Sequence, residues 1–318
     1  MTPPTSPLAL PLRALAPAKI NLGLFVGPKR GDGRHELVSV MQSISLADEL
    51  TLERAPAGAK RDEVVCPSVA GENLAARALE LFRGATGWDG GRVRLSIDKR
   101  VPVAAGLGGG SADAAAALRL ACAASGLGDG ELLLELAGEL GADVPAQVVP
   151  GRWLATGAGD RLAELPDPVS PFGVLVLAQA AELSTAEVYA TTDRLGLGHD
   201  ASFLEERRRA LRGALELGAA LPSDAELLHN DLEVAAVALC PAVGRALEQA
   251  YEAGAEMALV SGSGPTVVGL FARANSLARA QRAAAGLAGR EPAPLTAAPV
   301  SASFAQAYSP GVRNNEGS

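Results

Sequence analysis

Near the start of the chain, apolar side chains alternate with polar or small ones, which is the period of a β-strand. The run of residues 19–24 puts three aliphatic side chains on one face and Lys19 and Asn21 on the other. A second alternating run covers residues 39–53 and ends in L-T-L-E. The pattern predicts two strands. The face with Lys19 and Asn21 is either the solvated side of an edge strand or a pair of polar groups that project into a cleft.

Stretches with helical periodicity follow, several of them closed by a glycine where a helix would end. Helices are predicted at about residues 73–83, 111–126, 131–140, 186–195, 202–217, 231–239, 243–253 and 276–286. Further strands are predicted at residues 92–97, 172–178, 257–260, 267–271 and 295–303, with a strand-like run that ends near Val103. Helices and strands are mixed without a long parallel run, which predicts an α+β fold with a proline-rich linker at residues 166–171.

A glycine-rich loop lies between the strand-like run and the alanine-rich helix that is predicted to begin about Ser111. It reads G-L-G-G-G-S, with glycine at positions 106, 108, 109 and 110. Glycine lets the backbone adopt positive φ and leaves main-chain N–H groups open to a ligand. The N terminus of the following helix adds unpaired N–H groups and a partial positive charge. The loop is therefore suited to bind a phosphate.

Two better-known phosphate loops do not fit this stretch. The Walker A loop requires lysine after its last glycine, where this chain has Ser111, and the dinucleotide fingerprint requires glycine at that same position. A purely structural alternative is a glycine turn capped by Ser111 that leads into a closely packed helix. Consecutive glycines, however, cost more backbone entropy than an ordinary turn requires.

Composition and charge narrow the classes of partner. The 318 residues are 48% hydrophobic, which excludes a disordered chain and is compatible with one or two domains. The 28 basic and 36 acidic residues give a net charge of −8 without a long basic run, so nucleic acid and anionic membranes are not expected partners. A phosphate site must therefore be local.

Cysteine usage and the two ends of the chain indicate the compartment. Three widely spaced cysteines without metal-ligand spacing favour a reducing compartment over disulfides or a structural zinc, which predicts a cytoplasmic protein. The N-terminal M-T-P-P-T-S-P-L-A-L-P is too rich in proline, and too short in its apolar part, for a signal peptide or a membrane span. The polar residues 309–318 are predicted to be a disordered tail.

An acidic residue lies at a sharp junction in G-A-D-V-P (141–145). Because Pro145 disfavours the α conformation in the residue before it, Asp143 marks a boundary between elements. It is either the N-cap of a helix that opens at Pro145 or an acid held rigidly near the phosphate loop. His35, in the turn-rich segment 27–37, is by itself typical of a surface histidine.

Taken in order along the chain, these motifs resemble the GHMP family of small-molecule kinases. The motifs are P-A-K-I-N-L (17–22), D-G-R-H (32–35), G-L-G-G-G-S-A-D-A (106–114), G-A-D-V-P (141–145) and S-G-S-G-P-T (261–266). The likeness extends from about Leu12 to about Ala305. Within the family, K-I-N-L, D-G-x-H and G-A-D-V-P are most similar to the members that act on a cytidyl-bearing methylerythritol of isoprenoid biosynthesis.

The resemblance implies an N-terminal domain (12–165) of the ribosomal protein S5 domain 2-like type and a ferredoxin-like C-terminal domain (166–308), with ATP and substrate in the cleft between them. It implies that the γ-phosphoryl group of ATP, which normally accompanies Mg²⁺, moves to the 2-hydroxyl of 4-diphosphocytidyl-2-C-methyl-D-erythritol. The ATP-binding residues implied by position are Pro102, Gly106, Leu107, Gly108, Gly109, Gly110, Ser111 and Ala112.

By the same resemblance, Asp143 is the general base and Lys19 is its cationic neighbour. Phosphoryl transfer requires mainly positioning and charge stabilisation from the protein, so one base, one cation and a ring of backbone donors form a sufficient set. An ammonium beside Asp143 would also favour the ionised carboxylate that a base requires.

The resemblance also implies a binding site for the cytidine, formed by Asn21, Arg34, His35 and Tyr189. Relatives commonly carry tyrosine where this chain has Arg34, and that ring stacks on the cytosine opposite a second aromatic, here Tyr189. The Arg34 guanidinium could replace the ring, hydrogen-bond the diphosphate of the substrate, or point into solvent. Whether Arg34 and Tyr189 form a stacking pair around the cytosine is therefore left open.

Several assignments have alternatives. Ser111 or Asp113 could reach Mg²⁺, and Asp113 is equally consistent with an acid that interacts with the helix dipole. The second glycine loop, residues 261–266, is expected to pack against the first or to line the cleft. The chain could instead be a GHMP kinase for homoserine or mevalonate, or a nucleotide-binding module without catalysis, against which the intact Lys19 and Asp143 argue. The oligomeric state, monomer or homodimer, is left open.

Overall fold

A computed structural model describes residues 7–69 and 71–310. A first sheet of six strands contains the N-terminal half of the chain, and its order is β3-β4-β2-β5-β6, with β1 beside β2. Its strands are β1 (Leu12–Lys29), β2 (His35–Arg54), β3 (Glu63–Val65), β4 (Val93–Asp98), β5 (Arg152–Thr156) and β6 (Arg161–Leu165).

Strands β1 and β2 form a long antiparallel hairpin, whose register begins at Leu12↔Leu52 and ends at Lys29↔His35. Gly33, at φ +84°, lies in the tight turn between them, where a left-handed backbone favours glycine. Although its outer edge carries no long strand, β1 is buried on both faces along most of its length. The hairpin therefore carries Lys19 and Asn21 into the interior and ends at the turn that carries Arg34.

Helices of the first half pack on this sheet. They are α1 (Leu74–Thr86), α2 (Gly109–Ser125), α3 (Gly130–Leu140) and α4 (Val144–Val148). The alanine-rich α2 is buried from Ala112 to Ala123, because small side chains allow neighbouring elements to approach it on every side. Asn73 caps α1 through a hydrogen bond to the Ala75 N–H, a contact that contributes about 1 kcal/mol in typical helices.

One charged side chain lies inside this packing. Arg119 of α2 is 2% exposed and donates to the backbone carbonyls of Leu15, Gln147 and Ala305. Burial lowers the pKa of its guanidinium to about 10, but the carbonyl acceptors satisfy its donors. Arg119 thereby connects α2 to β1, to α4 and to the C-terminal segment.

A second sheet of four antiparallel strands holds the C-terminal half, in the order β10-β7-β9-β8. This order, with helices in the crossovers, is that of the ferredoxin-like β-α-β-β-α-β unit. The strands are β7 (Gly173–Leu177), β8 (Met257–Val260), β9 (Val267–Phe271) and β10 (Leu295–Ala297). The helices are α5 (Thr185–Leu195), α6 (Ala201–Leu215), α7 (Glu233–Leu239), α8 (Pro241–Glu252) and α9 (Ser276–Gly286), with 3₁₀ turns at Ala225–Leu227 and Ala302–Ala305.

The two sheets share one hydrophobic cluster. Ile20 and Val40 of the β1–β2 hairpin belong to the same buried cluster as Val174 of β7 and Val268 of β9. Because this cluster is continuous, the two halves are held against each other along β1. The cleft that contains the candidate site therefore has walls from both halves.

The α+β prediction is confirmed, and β8, β9 and α9 have the predicted bounds. The strand predicted to end near Val103 is wrong, since β4 ends at Asp98. The carboxylate of Asp48 accepts the N–H groups of Arg100 and Val101, at 2.6 and 2.8 Å, and this draws the chain away from the sheet.

The predicted strand 295–303 is also partly wrong. The strand β10 ends at Ala297, and Val300 donates its N–H to the Ser43 carbonyl of the first sheet. Pro299, between them, has no N–H with which to continue a ladder. Strands β3, β5 and β6 were not predicted. Of the predicted disordered tail, residues 311–318 lie outside the described residues.

Candidate active site

The glycine loop leads directly into α2. The N-cap of this helix is Gly108, at φ +69°, and no side chain caps it. The first amides of α2, beginning at Gly109, have no acceptor within the helix, as in any α-helix. The structural alternative in which Ser111 caps the helix is therefore wrong, because the helix begins earlier, at Gly109. The open amides remain available to an anion.

Close packing explains two of the glycines. A Cβ on Gly106 would lie 2.4 Å from the Ser261 carbonyl oxygen, and a Cβ on Gly108 would lie 2.9 Å from Cγ of Lys19. Ser261 Oγ donates to the Gly106 carbonyl at 3.1 Å. The second glycine loop, residues 261–266, therefore packs against the first, as expected from the sequence.

Two cavities meet at the glycine loop. The first cavity, of about 670 Å³, is lined by residues from both halves of the molecule, including Lys19, Asn21, Arg34, His35, Asp143 and Tyr189. The second cavity, of about 330 Å³, is lined by Asn73, Pro102, Leu107, Gly109, Gly110 and Ser111 among others. Gly106 and Gly108 line both cavities. A group bound on the loop would therefore be accessible from either side.

Lys19 and Asp143 lie at this junction. Lys19 Nζ is 3.6 Å from Asp143 Oδ2 and donates to Asn21 Oδ1 at 2.8 Å. Asn21 is itself oriented by a 2.7 Å hydrogen bond from its Nδ2 to Ser39 Oγ. The side chain of Lys19 is 8% exposed and that of Asp143 is 41% exposed. The cation is thus held from behind while the carboxylate faces the cavity.

The solvated-edge alternative for Lys19 and Asn21 is wrong. Both residues are buried, and the backbone N–H of Lys19 donates to the Leu107 carbonyl of the glycine loop at 2.9 Å. The loop therefore covers the polar face of β1. Alternation along a strand shows which residues share a face, but it does not show what covers that face.

The N-cap alternative for Asp143 holds for its position, directly before α4, but not for its side chain. Asp143 precedes α4, which has Pro145 in its first turn, but the aspartate adopts φ −84° and ψ −15° and its side chain makes no capping hydrogen bond. An N-cap residue normally has extended backbone and accepts an N–H from the first turn. The carboxylate is consequently free to face Lys19 and the first cavity.

The far end of the first cavity carries two stacked rings. His35 and Tyr189 have ring centroids 5.3 Å apart and an interplanar angle of 23°. His35 Nε2 is 2.8 Å from Asp193 Oδ1, so the histidine is not the surface residue that its loop position alone indicated. Burial raises the pKa of Tyr189 to about 12, and the charge of Asp143 adds to this shift. Tyr189 therefore stays a neutral hydroxyl.

Arg34 lies on the rim of the same cavity. Its guanidinium donates to Asp32 through Nε and Nη2, at 3.3 and 3.1 Å, and its side chain is 54% exposed. The group that stacks on the Tyr189 ring is the His35 imidazole, and not the Arg34 guanidinium. The hydrogen bonds to Asp32 leave the guanidinium half exposed at the cavity mouth.

A cluster that the sequence did not reveal lies beneath the glycine loop. Lys99 Nζ pairs with the carboxylates of Asp48 and Asp113, the latter at 2.8 Å. Burial and the nearby Asp48 raise the pKa of Asp113 to about 7, although the Lys99 ammonium opposes this shift. Burial lowers the pKa of Lys99, but the two carboxylates outweigh it and the net shift is upward. Asp113 is thus part of a buried ion-pair cluster and not a solvated acid at a helix terminus.

Sequence comparison relates both halves of the chain to one family. The profile of the GHMP kinases N terminal domain matches residues 73–151, which contain the glycine loop and Asp143. The profile of the GHMP kinases C terminal region matches residues 208–288, which contain the second glycine loop. A protein from Leifsonia xyli, named 4-diphosphocytidyl-2-C-methyl-D-erythritol kinase, is 42% identical over 81% of this chain and 87% of its own length.

The chain belongs to the GHMP kinase family. A protein of the same name from Anaeromyxobacter dehalogenans is 42% identical to this GHMP kinase over 87% of the chain and 88% of the relative. A crystal structure of 4-(cytidine 5'-diphospho)-2C-methyl-D-erythritol kinase superposes with a TM-score of 0.71 at 34% identity, covering 90% of this chain and 98% of that one. Homoserine kinase from Cytophaga hutchinsonii, at 17% identity and a TM-score of 0.68 over 94% and 97% of the two chains, shares the fold.

Most of the predicted site residues of this GHMP kinase line the two cavities. Lys19, Asn21, Arg34, His35, Asp143 and Tyr189 line the first cavity, and Pro102 and the residues from Gly106 to Ser111 line the second. Ala112 is different: its side chain is fully buried and its N–H donates to the Gly108 carbonyl. It therefore supports the helix and does not form the wall of either cavity.

Sequence reasoning missed Lys99 and Asp193. A signal for Asp193 was present, because residues spaced four apart on a helix share a face and Tyr189 had already been identified. For Lys99, no pattern in the neighbouring sequence indicated a buried lysine. Its partners come from β2 and α2, and their proximity depends on the pairing of β2 with β4.

Proposed function

We propose that this GHMP kinase transfers the γ-phosphoryl group of ATP to the 2-hydroxyl of 4-diphosphocytidyl-2-C-methyl-D-erythritol. The observation that carries the proposal is the position of Lys19 and Asp143 beside the glycine loop, where the two cavities meet. The acceptor alcohol enters from the first cavity and ATP lies in the second. The relatives with this activity in their name cover most of the chain.

In the proposed reaction Asp143 accepts the proton of the 2-hydroxyl. The hydroxyl oxygen forms a bond to the γ-phosphorus while the bond from that phosphorus to the β–γ bridging oxygen breaks, and ADP leaves with the electron pair. Lys19 supplies positive charge beside the reacting oxygens, and the amides at the start of α2 stabilise the charge on the phosphate. These groups are held in place before the substrate binds, because Asn21 and Gly108 fix the Lys19 side chain.

The second cavity fits the nucleotide. Gly110 leaves open space at its Cβ position, with the nearest atom, Leu74 Cδ1, at 4.0 Å, so a phosphate can approach the main chain closely. Magnesium accompanies ATP and is coordinated largely by phosphate oxygens and water. We assign the Ser111 hydroxyl as the side chain that can reach it, since Asp113 is committed to Lys99 and is 3% exposed.

The length of the first cavity supports a cytidyl substrate over a smaller one. Beyond Lys19 and Asp143 it extends to His35, Tyr189 and Arg34, which homoserine or mevalonate would not need to reach. A planar ring and hydrogen-bonding groups at that end suit a nucleobase. The likeness to homoserine kinase is a likeness of fold.

The remaining parts of the proposal concern organisation and location. We assign residues 12–165 to an N-terminal domain and 166–308 to a C-terminal domain, since the strands of the two sheets divide at residues 166–172. The free thiols of Cys66, Cys122 and Cys240 support a reducing, cytoplasmic location. None of the helices within the described residues is both long and apolar enough to cross a membrane.

The direct test is an ATP-dependent phosphorylation assay with three acceptors: the cytidyl substrate, homoserine and mevalonate. We expect phosphate to appear on the cytidyl substrate, with a kcat/KM at least about 100-fold higher than for the other two, because they leave the base end of the cavity unused. Phosphate only on homoserine or mevalonate would refute the proposal. ATP binding without transfer to any of them would favour the module without catalysis.

A further inference from the structure

Helix α5 holds one imidazole through two of its residues. Tyr189 and Asp193 lie one helical turn apart and therefore on the same face of α5. Tyr189 stacks on the face of His35, with ring centroids 5.3 Å apart, and Asp193 Oδ1 lies 2.8 Å from His35 Nε2. One contact fixes the plane of the ring and the other fixes its rotation. His35 is 8% exposed and lines the first cavity.

The carboxylate also determines which nitrogen carries the proton. An ionised Asp193 can only accept a hydrogen bond, so Nε2 must carry the hydrogen. In the neutral ring Nδ1 is then an acceptor, and among the described residues it has no hydrogen-bond partner. The charged group next to this pair is Lys29, whose Nζ is 3.9 Å from the other oxygen of Asp193.

We propose that Asp193 is a positioning residue that holds His35 as the Nε2–H tautomer and thereby makes Nδ1 an acceptor for the exocyclic amino group of the substrate's base. The inference rests on the proposed function, in which a cytidyl group occupies this end of the cavity. Cytosine presents an amino group at the position where uracil presents a carbonyl oxygen. An acceptor fixed at Nδ1 favours the amino group and opposes the carbonyl, so the pair selects cytosine over uracil.

Nucleotide affinity provides the first measurement. Cytidine 5′-diphosphate and uridine 5′-diphosphate are titrated by calorimetry into the wild type and into Asp193→Ala, Asp193→Asn and Glu187→Ala. Glu187 is an exposed acid on the same helix, so Glu187→Ala is the matched control. The wild type and the control should bind the cytidine nucleotide at least about tenfold more tightly than the uridine nucleotide, as for a site that loses one hydrogen bond with the wrong ligand.

Asp193→Ala should reduce this ratio to within about threefold of unity, since the freed ring can adopt the other tautomer and donate to the uracil carbonyl. Asp193→Asn should retain most of the preference, because its amide oxygen can still accept from Nε2. In the kinase assay Asp193→Ala should raise KM for the cytidyl substrate more than it lowers kcat. A ratio unchanged in Asp193→Ala, or absent in the wild type, would overturn the inference.

The second measurement reads the tautomer directly. The chain has 3 histidines, so long-range ¹H–¹⁵N spectra are simple, and His35→Gln identifies the signals of His35. The wild type should show a protonated Nε2 and an unprotonated Nδ1, and Asp193→Ala should show exchange between tautomers. A protonated Nδ1 in the wild type would refute the inference even if the cytidyl substrate is phosphorylated. Failure of the proposed function is recognised separately, by the absence of that phosphorylation.

Discussion

Two lysines lie on either side of the glycine loop, and the structure holds them in different ways. Lys19 touches Gly108 and is 3.6 Å from one carboxylate, Asp143, which is 41% exposed. Lys99 lies beneath Gly109 and pairs with two carboxylates that are at most 4% exposed, Asp48 and Asp113. Gly108 and Gly109 therefore each contact a lysine, but the first lysine pairs with one partly exposed carboxylate and the second with two buried ones.

The difference separates a reactive cation from a structural one. Among residues 7–69 and 71–310, Lys19 has a single, long ion pair, so its charge remains available to a phosphate in the cleft. The charge of Lys99 is already balanced inside the protein, where a buried pair is costly to break. Asp48, which also accepts the amides of Arg100 and Val101, makes Lys99 part of the support for the loop. We therefore expect changes at Lys19 to alter turnover and changes at Lys99 to alter stability.

The largest expected effect is on turnover. Lys19→Met and Asp143→Asn should each lower kcat by about 10²- to 10⁴-fold, since they remove the cation and the base of the transfer step. ATP affinity by calorimetry and the melting temperature should stay close to those of the wild type. Near-normal turnover of a folded variant would remove that residue from the mechanism.

Lys99→Met should produce the reverse pattern. Loss of its ammonium leaves the buried carboxylate of Asp48, beside Asp113, without a cation, so the free energy of unfolding should fall by about 3–5 kcal/mol, as when one partner of a buried ion pair is removed. Urea unfolding of Lys99→Met and Lys19→Met side by side tests this. Equal stability losses in the two variants would contradict the distinction between the lysines.

Changes in the loop should affect ATP affinity. In Gly109→Val the added Cβ would lie 3.1 Å from Val101 Cγ1 and 3.3 Å from Lys99 Nζ, so the branched side chain would displace the start of α2 and the amides that are expected to bind phosphate. ATP affinity should fall by about tenfold or more. Gly138→Ala, at an open position in α3 that lines neither cavity, is the control and should bind ATP within about threefold of the wild type. Unchanged affinity in Gly109→Val would mean that the glycines serve packing only.

Asp113 should make stability depend on pH. Burial, reinforced by Asp48 and opposed by Lys99, raises the pKa of Asp113 from 3.8 to about 7. Between these values the native state retains a proton that the unfolded state releases, so the contribution of Asp113 to stability falls as pH rises from about 4 to about 7. Asp113→Asn removes this pH-dependent contribution, because an amide does not titrate. The free energy of unfolding of Asp113→Asn, relative to the wild type, should therefore increase from pH 5 to pH 8, and a constant or decreasing difference would contradict the assignment.

The smallest effect is expected at Arg34, which is held less firmly than either lysine. Its guanidinium is half exposed and hydrogen-bonded to Asp32. Arg34→Ala should raise KM for the cytidyl substrate only about two- to fivefold, as for a cation at an exposed ring or phosphate. Arg34→Tyr distinguishes the contacts: a KM equal to that of the wild type indicates stacking, and one equal to that of Arg34→Ala indicates contact with phosphate. A KM that is unchanged in both variants would indicate that Arg34 points into solvent and does not contact the substrate.

Local motifs were predictable because their geometry is determined by neighbouring residues. The glycine loop and its helix depend on positive φ and on unpaired amides, and β8, β9 and α9 were predicted with their observed bounds. The end of β4 was not predictable, because it depends on the Asp48 carboxylate, which comes from another strand. Similarly, Pro299 was visible in the sequence, but the turn of the chain toward Ser43 of the first sheet was not.

The glycine loop, the shared face of Lys19 and Asn21, the boundary at Asp143 and the likeness to GHMP kinases could all be read from residues that are neighbours along the chain. Long-range packing was needed to show that this face is covered, that Asp143 turns toward Lys19, that Lys99 is buried between two acids and that Asp193 contacts His35. Backbone preferences act between neighbouring residues, so short stretches of sequence reveal them. The environment of a charge depends instead on which distant segments are packed around it.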